Sequence, residues 1–127
     1  MKINHIAVYV RDLEQTKAFY EKYFNATANN LYHNPKTGLQ TYFLTFEGAT
    51  RLEIMHKSDL REIGISGERL GYIHLAFSVG SKSAVDALTE RLRNDGYTVL
   101  SEPRTTGDGY YESCVVDPDG NRIEIVE

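Results

Sequence analysis

Asn4-His5-Ile6-Ala7-Val8-Tyr9-Val10 returns later in the chain as Ile73-His74-Leu75-Ala76-Phe77-Ser78-Val79. A second segment behaves the same way: Arg51-Leu52-Glu53-Ile54-Met55 is echoed by Arg122-Ile123-Glu124-Ile125-Val126. The two histidines are 69 residues apart and the two glutamates 71. The chain therefore reads as two diverged copies of one unit, each opening on a histidine strand and closing on a glutamate strand.

Between those strands the first copy predicts a helix from Asp12, an N-cap with Gln15 three residues on, as in a capping box. Leu13, Tyr20, Tyr23 and Phe24 give that helix its apolar side. A short strand over 27–33 follows, then a turn at Asn34-Pro35-Lys36-Thr37-Gly38, then strands over about 39–47 and 50–56 split by Glu47-Gly48. The second copy predicts a strand over 72–79 and a helix from about Ser83 to Asp95 stopped by Gly96. Strands over 97–101, about 110–116 and 121–126 complete it, with a Gly- and Thr-rich loop over 102–109 and a turn at Asp117-Pro118-Asp119-Gly120. Each copy is thus a βαβββ module, and the fold class is α+β. Module 1 covers about 1–57 and module 2 about 72–127, with a polar, glycine-bearing linker over about 58–71 and a short helical turn near Asp59–Ile63.

Strand parity places the four repeated polar residues. Side chains alternate faces along a strand. Ile6, Val8 and Val10 oppose His5; Leu75, Phe77 and Val79 oppose His74. Leu52 and Ile54 oppose Glu53, and Ile123 and Ile125 oppose Glu124. With helices on one side of each sheet, the aliphatic face is the core and the other face is free for a site. His5, Glu53, His74 and Glu124 all fall on that other face.

Bulk properties exclude several classes. A length of 127 residues supports a core without disulfides or structural metal. The net charge of -4 argues against a phosphate-backbone binder, so no nucleic-acid partner is expected. The single cysteine, Cys114, rules out an internal disulfide and fits a reducing compartment. No apolar run approaches membrane-spanning length, and no signal-peptide pattern opens the chain. The expectation is a cytoplasmic protein with no membrane partner.

Two imidazoles and two carboxylates suit a divalent ion. Imidazole nitrogen fits Zn, Ni and Co, and two carboxylates neutralise the charge while leaving positions for substrate oxygens. An ion so held stabilises an enediolate formed when a proton leaves the carbon beside a carbonyl, and a nearby glutamate is a base for that proton.

At this point the residues resemble the vicinal-oxygen-chelate superfamily over nearly the whole chain. The resemblance rests on the His5 strand with Arg11-Asp12-Leu13 and Phe19-Tyr20, the Leu52-Glu53 strand, the His74 strand, and Asp117-Pro118-Asp119-Gly120-Asn121-Arg122-Ile123-Glu124. It implies a glyoxalase/bleomycin-resistance/dioxygenase-type fold with curved mixed sheets, forming a single domain over 1–127. It also implies a glyoxalase I-like metal set of His5, Glu53, His74 and Glu124 around a divalent ion such as Ni, Zn or Co. The implied reaction isomerises a thiol hemithioacetal of a 2-oxoaldehyde, as in methylglyoxal detoxification, with Glu124 the leading proton-shuttling base and Glu53 its counterpart. A homodimer and a small-molecule substrate carrying a low-molecular-weight thiol are implied as well. Alternatives within the superfamily are a fosfomycin-resistance type thiol transferase using His5, His74 and Glu124, and a non-enzymatic drug-binding resistance protein. The chain departs from the resemblance at two positions that resemble glutathione-holding sites: Tyr9 stands where bacterial glyoxalase I typically has an Arg, and His56-Lys57 where it has an Asn.

Other polar residues carry weaker expectations. Tyr9, Tyr42 and Tyr111 are candidate pocket-lining residues, and Lys57 and Arg104 are candidates for an anionic substrate end. His33 and His56, which have no counterpart in the other module, are expected at the surface, and Cys114 is expected as a small core residue.

Overall fold

The computed structural model describes residues 3–61, 71–107 and 109–127. Those up to Arg61 belong to one compact unit and those from Gly71 onward to a second. The expected linker over 58–71 lies mostly outside the described residues. Its first part, 58–61, carries a turn at Ser58 and Asp59, and Ile63 falls outside.

The first unit runs β1 (His5–Tyr9), α1 (Leu13–Phe24), β2 (Thr27–Ala28), β3 (Tyr32–Asn34), β4 (Leu39–Thr45) and β5 (Arg51–His56). Its sheet order is β1-β5-β4-β2, with β3 also paired to β4. The single strand expected over 27–33 is therefore two short ones, both antiparallel to β4. The Asp12 side chain accepts from the Gln15 backbone N–H at 2.9 Å, which starts α1 as the sequence predicts. The helix ends at Asn25, whose φ of 52° is left-handed, a conformation asparagine tolerates better than most residues.

The second unit runs β6 (His74–Ser78), α2 (Lys82–Asn94), β7 (Val99–Thr105), β8 (Tyr111–Val116) and β9 (Arg122–Val126), with sheet order β6-β9-β8-β7. The α2 N-cap is Ser81, whose hydroxyl accepts from Ala84 N–H at 3.2 Å, so the helix starts slightly earlier than expected. Residues 102–105 correct the sequence reading: they continue β7, pairing Arg104 with Glu112 and Thr105 with Tyr111. The loop expectation rests on the Gly and Thr content of 102–109; Pro103 is accommodated in the strand because β7 is an edge strand and its register shifts between Ser101 and Arg104. Those are the two settings in which a strand tolerates a residue without an N–H.

Both units share one pairing rule. In each, the first strand lies parallel to the last: His5 opposite Arg51 and Ala7 opposite Glu53, then His74 opposite Arg122 and Ala76 opposite Glu124. Each histidine and its glutamate are thus diagonal neighbours on one face of adjacent strands. The opposite face carries the helix. In the first unit Phe19, Tyr20, Leu44, Leu52 and Ile54 are buried there; in the second, Val85, Leu92, Val115, Ile123 and Ile125. Each such side chain contributes about 1.5–3 kcal/mol by leaving water. The hydroxyls of Thr89 and Ser113, buried among the second set, meet at 2.6 Å, and Thr89 also donates to the Val85 carbonyl at 2.7 Å.

The turn before β9 is built on Asp117, which is 3% exposed. Its carboxylate accepts from the backbone N–H groups of Asp119 (2.9 Å) and Asn121 (2.8 Å) and from the Asn121 amide (2.9 Å). Gly120, with φ of 83°, supplies the left-handed residue the turn needs. Asp117→Ala leaves those donors without their acceptor and is expected to cost about 1–3 kcal/mol, seen as a lower urea midpoint at unchanged slope. Burial raises the Asp117 pKa above its ordinary value, although the hydrogen bonds pull the other way. The folded chain therefore holds that proton more tightly than the unfolded chain. The associated stability is present below the ordinary Asp range and is lost as pH rises through the raised value, a slope that Asp117→Asn abolishes.

Candidate metal centre

The first unit presents His5 and Glu53 on the face away from α1. His5 Nε2 lies 3.8 Å from Glu53 Oε2, with side-chain exposures of 40% and 16%. The imidazole is held by two further neighbours. Its Nδ1 is 2.9 Å from Asn4 Oδ1, its ring meets Phe43 edge-on with centroids 5.4 Å apart, and Phe43 in turn lies under the Arg51 guanidinium at 4.5 Å. Arg51 also donates to Asn4 Oδ1 at 2.7 Å. None of the sequence expectations seats His5 on Asn4, Arg51 or Phe43. Phe43 reaches this side because it lies opposite Glu53 across β4 and β5, a register that the sequence alone does not fix.

The second unit presents His74 and Glu124 in the same register but more tightly, with His74 Nδ1 3.1 Å from Glu124 Oε1. Here a cavity of about 400 Å³ opens, lined by His74, Arg104, Glu112, Cys114, Arg122 and Glu124 among others. Arg104 Nη1 stands 3.8 Å from Glu112 Oε1, so two guanidinium groups share this space with two carboxylates. Cys114 belongs to this cavity and is half-buried, which corrects its expected core placement. The aliphatic parity of β8 places it: Ser113 and Val115 are buried on the helix side, so Cys114 faces the other way, opposite Glu124. Burial, reinforced by the neighbouring Glu124 charge, raises its pKa and keeps it a thiol rather than a nucleophilic thiolate.

The remaining candidates separate by face. Tyr9 is on β1 at the parity of His5 and is half exposed, and Arg104 lines the cavity with Glu124. Lys57 directly follows β5. Tyr42 and Tyr111 belong instead to the helix side. The Tyr42 hydroxyl donates to Glu14 of α1 at 2.5 Å, and the Tyr111 hydroxyl donates to Asp86 of α2 at 2.7 Å. Each of these bonds raises the phenol's pKa, and Lys17, 2.7 Å from Glu14, lowers that carboxyl. Both tyrosines thus fasten a helix to its sheet. His56 does comparable work: its Nδ1 donates to the Val10 carbonyl at 2.9 Å, tying the end of β5 to the residue after β1. His33 lies exposed on β3.

The donor set fits a divalent ion. With bonds of about 2.0–2.2 Å to nitrogen and oxygen, two neighbouring donors on one ion stand about 3 Å apart. The His74–Glu124 pair already has that spacing, and the His5–Glu53 pair is somewhat more open. Among the described residues no three His, Cys, Asp or Glu side chains form one cluster; each unit holds one His–Glu pair.

The sequence matches the profile of the Glyoxalase/Bleomycin resistance protein/Dioxygenase superfamily over residues 2–125. The chain belongs to that superfamily. It is 30% identical over 131 residues to the uncharacterized protein YqjT of Bacillus subtilis, covering 98% of this chain and 97% of that protein. Its fold is similar to that of a glyoxalase family protein from Enterococcus faecalis, with a TM-score of 0.81 at 27% identity, spanning 99% of this chain and 97% of that one. The trypanothione-dependent glyoxalase I of Leishmania major shares the fold, with a TM-score of 0.79 at 22% identity over 100% of this chain and 86% of that one. Mixed sheets with few helices are thus the superfamily fold, as the resemblance implied. Members of this superfamily commonly bind a divalent metal, act on small molecules and often dimerise. No helix among the described residues is long and apolar enough to cross a membrane.

Proposed function

We propose that this chain is a metal-dependent glyoxalase-type lyase that isomerises a thiol hemithioacetal of a 2-oxoaldehyde and works as a homodimer. The observation that carries the reading is the repeated His–Glu pair, set in identical register on the helix-free face of each sheet. His5 and Glu53 supply half of the donor set for one Ni, Zn or Co ion, and His74 and Glu124 supply the other half. Such an ion, when bound, draws electron density from a carbonyl oxygen and makes the adjacent C–H more acidic. Glu124 takes that proton and returns it to the neighbouring carbon, and Glu53 serves the other face of the substrate. Tyr9, Lys57 and Arg104 meet the remainder of the substrate, with Arg104 suited to a carboxylate.

Elemental analysis of untagged protein comes first, followed by thioester formation from methylglyoxal with a panel of low-molecular-weight thiols, glutathione included. Full metal loading with no thioester from any thiol would defeat the lyase assignment. Lack of stoichiometric uptake of Ni, Zn or Co would defeat the metal site itself.

One observation favours a second reading. Glu53 stands farther from its histidine than Glu124 does, as it would if only His5, His74 and Glu124 held the ion in a thiol transferase. Glu53→Gln separates the two readings. Four-donor binding predicts a loss of about tenfold or more in metal affinity, whereas unchanged affinity measured by competition with a chelator selects the three-donor reading.

A further inference from the structure

His5 is not simply exposed on its sheet; one of its ring nitrogens is already committed. Asn4 Oδ1 receives two contacts, from Arg51 Nη2 at 2.7 Å and from His5 Nδ1 at 2.9 Å. A guanidinium donates only, so the atom of Asn4 that faces it is the carbonyl oxygen and not the amide nitrogen. That oxygen accepts only, so the hydrogen of the second bond sits on His5 Nδ1. The lone pair of the neutral ring is then on Nε2, the nitrogen nearer Glu53. The Arg51 guanidinium is held over the Phe43 ring, and its backbone N–H donates to the Asn4 carbonyl at 3.2 Å, so the assembly is braced from two sides. The second unit lacks it. Ile73 occupies the place of Asn4, and His74 turns Nδ1 toward its glutamate.

We propose that Asn4, oriented by Arg51, is a positioning residue that fixes His5 as its Nδ1–H tautomer and leaves Nε2 free to bind a divalent cation beside Glu53. This rests on His5 being a metal ligand, but the tautomer is a property of the metal-free chain. A histidine ligand gains basicity and a fixed orientation when its other nitrogen donates to an oxygen, and loss of such a partner costs roughly 10–100-fold in metal affinity. Without Asn4 the ring is free to rotate and to place its hydrogen on Nε2, the nitrogen that must be bare.

The test is long-range nitrogen–proton NMR of the metal-free protein labelled with ¹⁵N-histidine, recorded at alkaline pH, with His5 assigned by the signals lost in His5→Gln. The expected wild-type pattern is Nδ1–H at His5. Asn4→Leu should move it toward Nε2–H, and so should Arg51→Met, which leaves the Asn4 amide free to turn over. Asn4→Asp, which keeps an acceptor against both donors, should preserve the wild-type pattern. Zn²⁺ affinity by chelator competition should fall about 10–100-fold in Asn4→Leu and be restored in Asn4→Asp. An Nε2–H pattern in the wild type overturns the proposal, as does a His5 pattern that ignores Asn4→Leu while the variant keeps its wild-type unfolding midpoint. A tautomer that follows the variants in a protein that takes up no Zn²⁺, Ni²⁺ or Co²⁺ supports the Asn4 assignment and defeats the metal site, so the two failures are distinguishable.

Discussion

Glu124→Gln is expected to lower turnover of the hemithioacetal by about 10²–10⁴-fold while leaving the fold intact. The amide has the size and shape of the carboxylate and retains an oxygen for coordination, but it does not accept a proton. β9 is an interior strand, bonded to β6 on one side and β8 on the other, so position 124 is held in place whichever side chain it carries. Glu124 sits in the cavity with Arg104 and Arg122, whose charges offset the negative charge that a second carboxylate and a deprotonated substrate bring together. Steady-state kinetics at saturating metal, with metal content measured in the same samples, separates lost proton transfer from lost metal. Turnover within tenfold of wild type in fully loaded Glu124→Gln would remove Glu124 as the base. The unfolding free energy should stay within about 0.5 kcal/mol of wild type, because the side chain contributes little to packing.

The strands that hold the His–Glu pairs were readable because their two faces differ sharply in chemistry. In β5, Leu52 and Ile54 are buried while Glu53 is not, and the same alternation marks β9. Where both faces are apolar, parity loses its contrast. Tyr42, Phe43 and Leu44 run consecutively in β4, so nothing in composition says that Tyr42 joins the helix side and Phe43 the side of His5. In β8 the reverse happened: Ser113 is a polar residue buried on the helix side, satisfied by Thr89, and it obscured the alternation that places Tyr111 and Cys114. Residues 102–105 read as part of a Gly- and Thr-rich loop, and that a strand runs through Pro103 there depends on β7 being an edge strand, a property of the sheet rather than of the segment. The seat of His5 was invisible for a related reason. Asn4 and Arg51 are far apart in sequence and meet only because β1 pairs with β5 in a register that sets Arg51 against His5.

Ile123→Ala tests the other face of β9 and should lose about 2–5 kcal/mol of stability, a large part of the roughly 5–15 kcal/mol by which domains are usually stable. Ile123 is fully buried and lies opposite Val115 on one side and Leu75 on the other, so its removal opens a cavity among backbone-bound neighbours that do not readily collapse. Urea denaturation should show a lower midpoint at unchanged slope. A loss below about 1 kcal/mol would mean that the helix face of this sheet is not the tightly packed core its burial indicates. Because alternate residues point to opposite faces, the cavity lies on the side away from Glu124. At low temperature, where the variant stays folded, its turnover per folded molecule should remain close to wild type. Ile123→Ala and Glu124→Gln thus form a crossed pair on adjacent residues, the first lowering stability while sparing chemistry and the second doing the opposite. If instead both changes lowered both quantities, the two faces of β9 would not be independent, and the alternation from which the metal centre was derived would no longer support it.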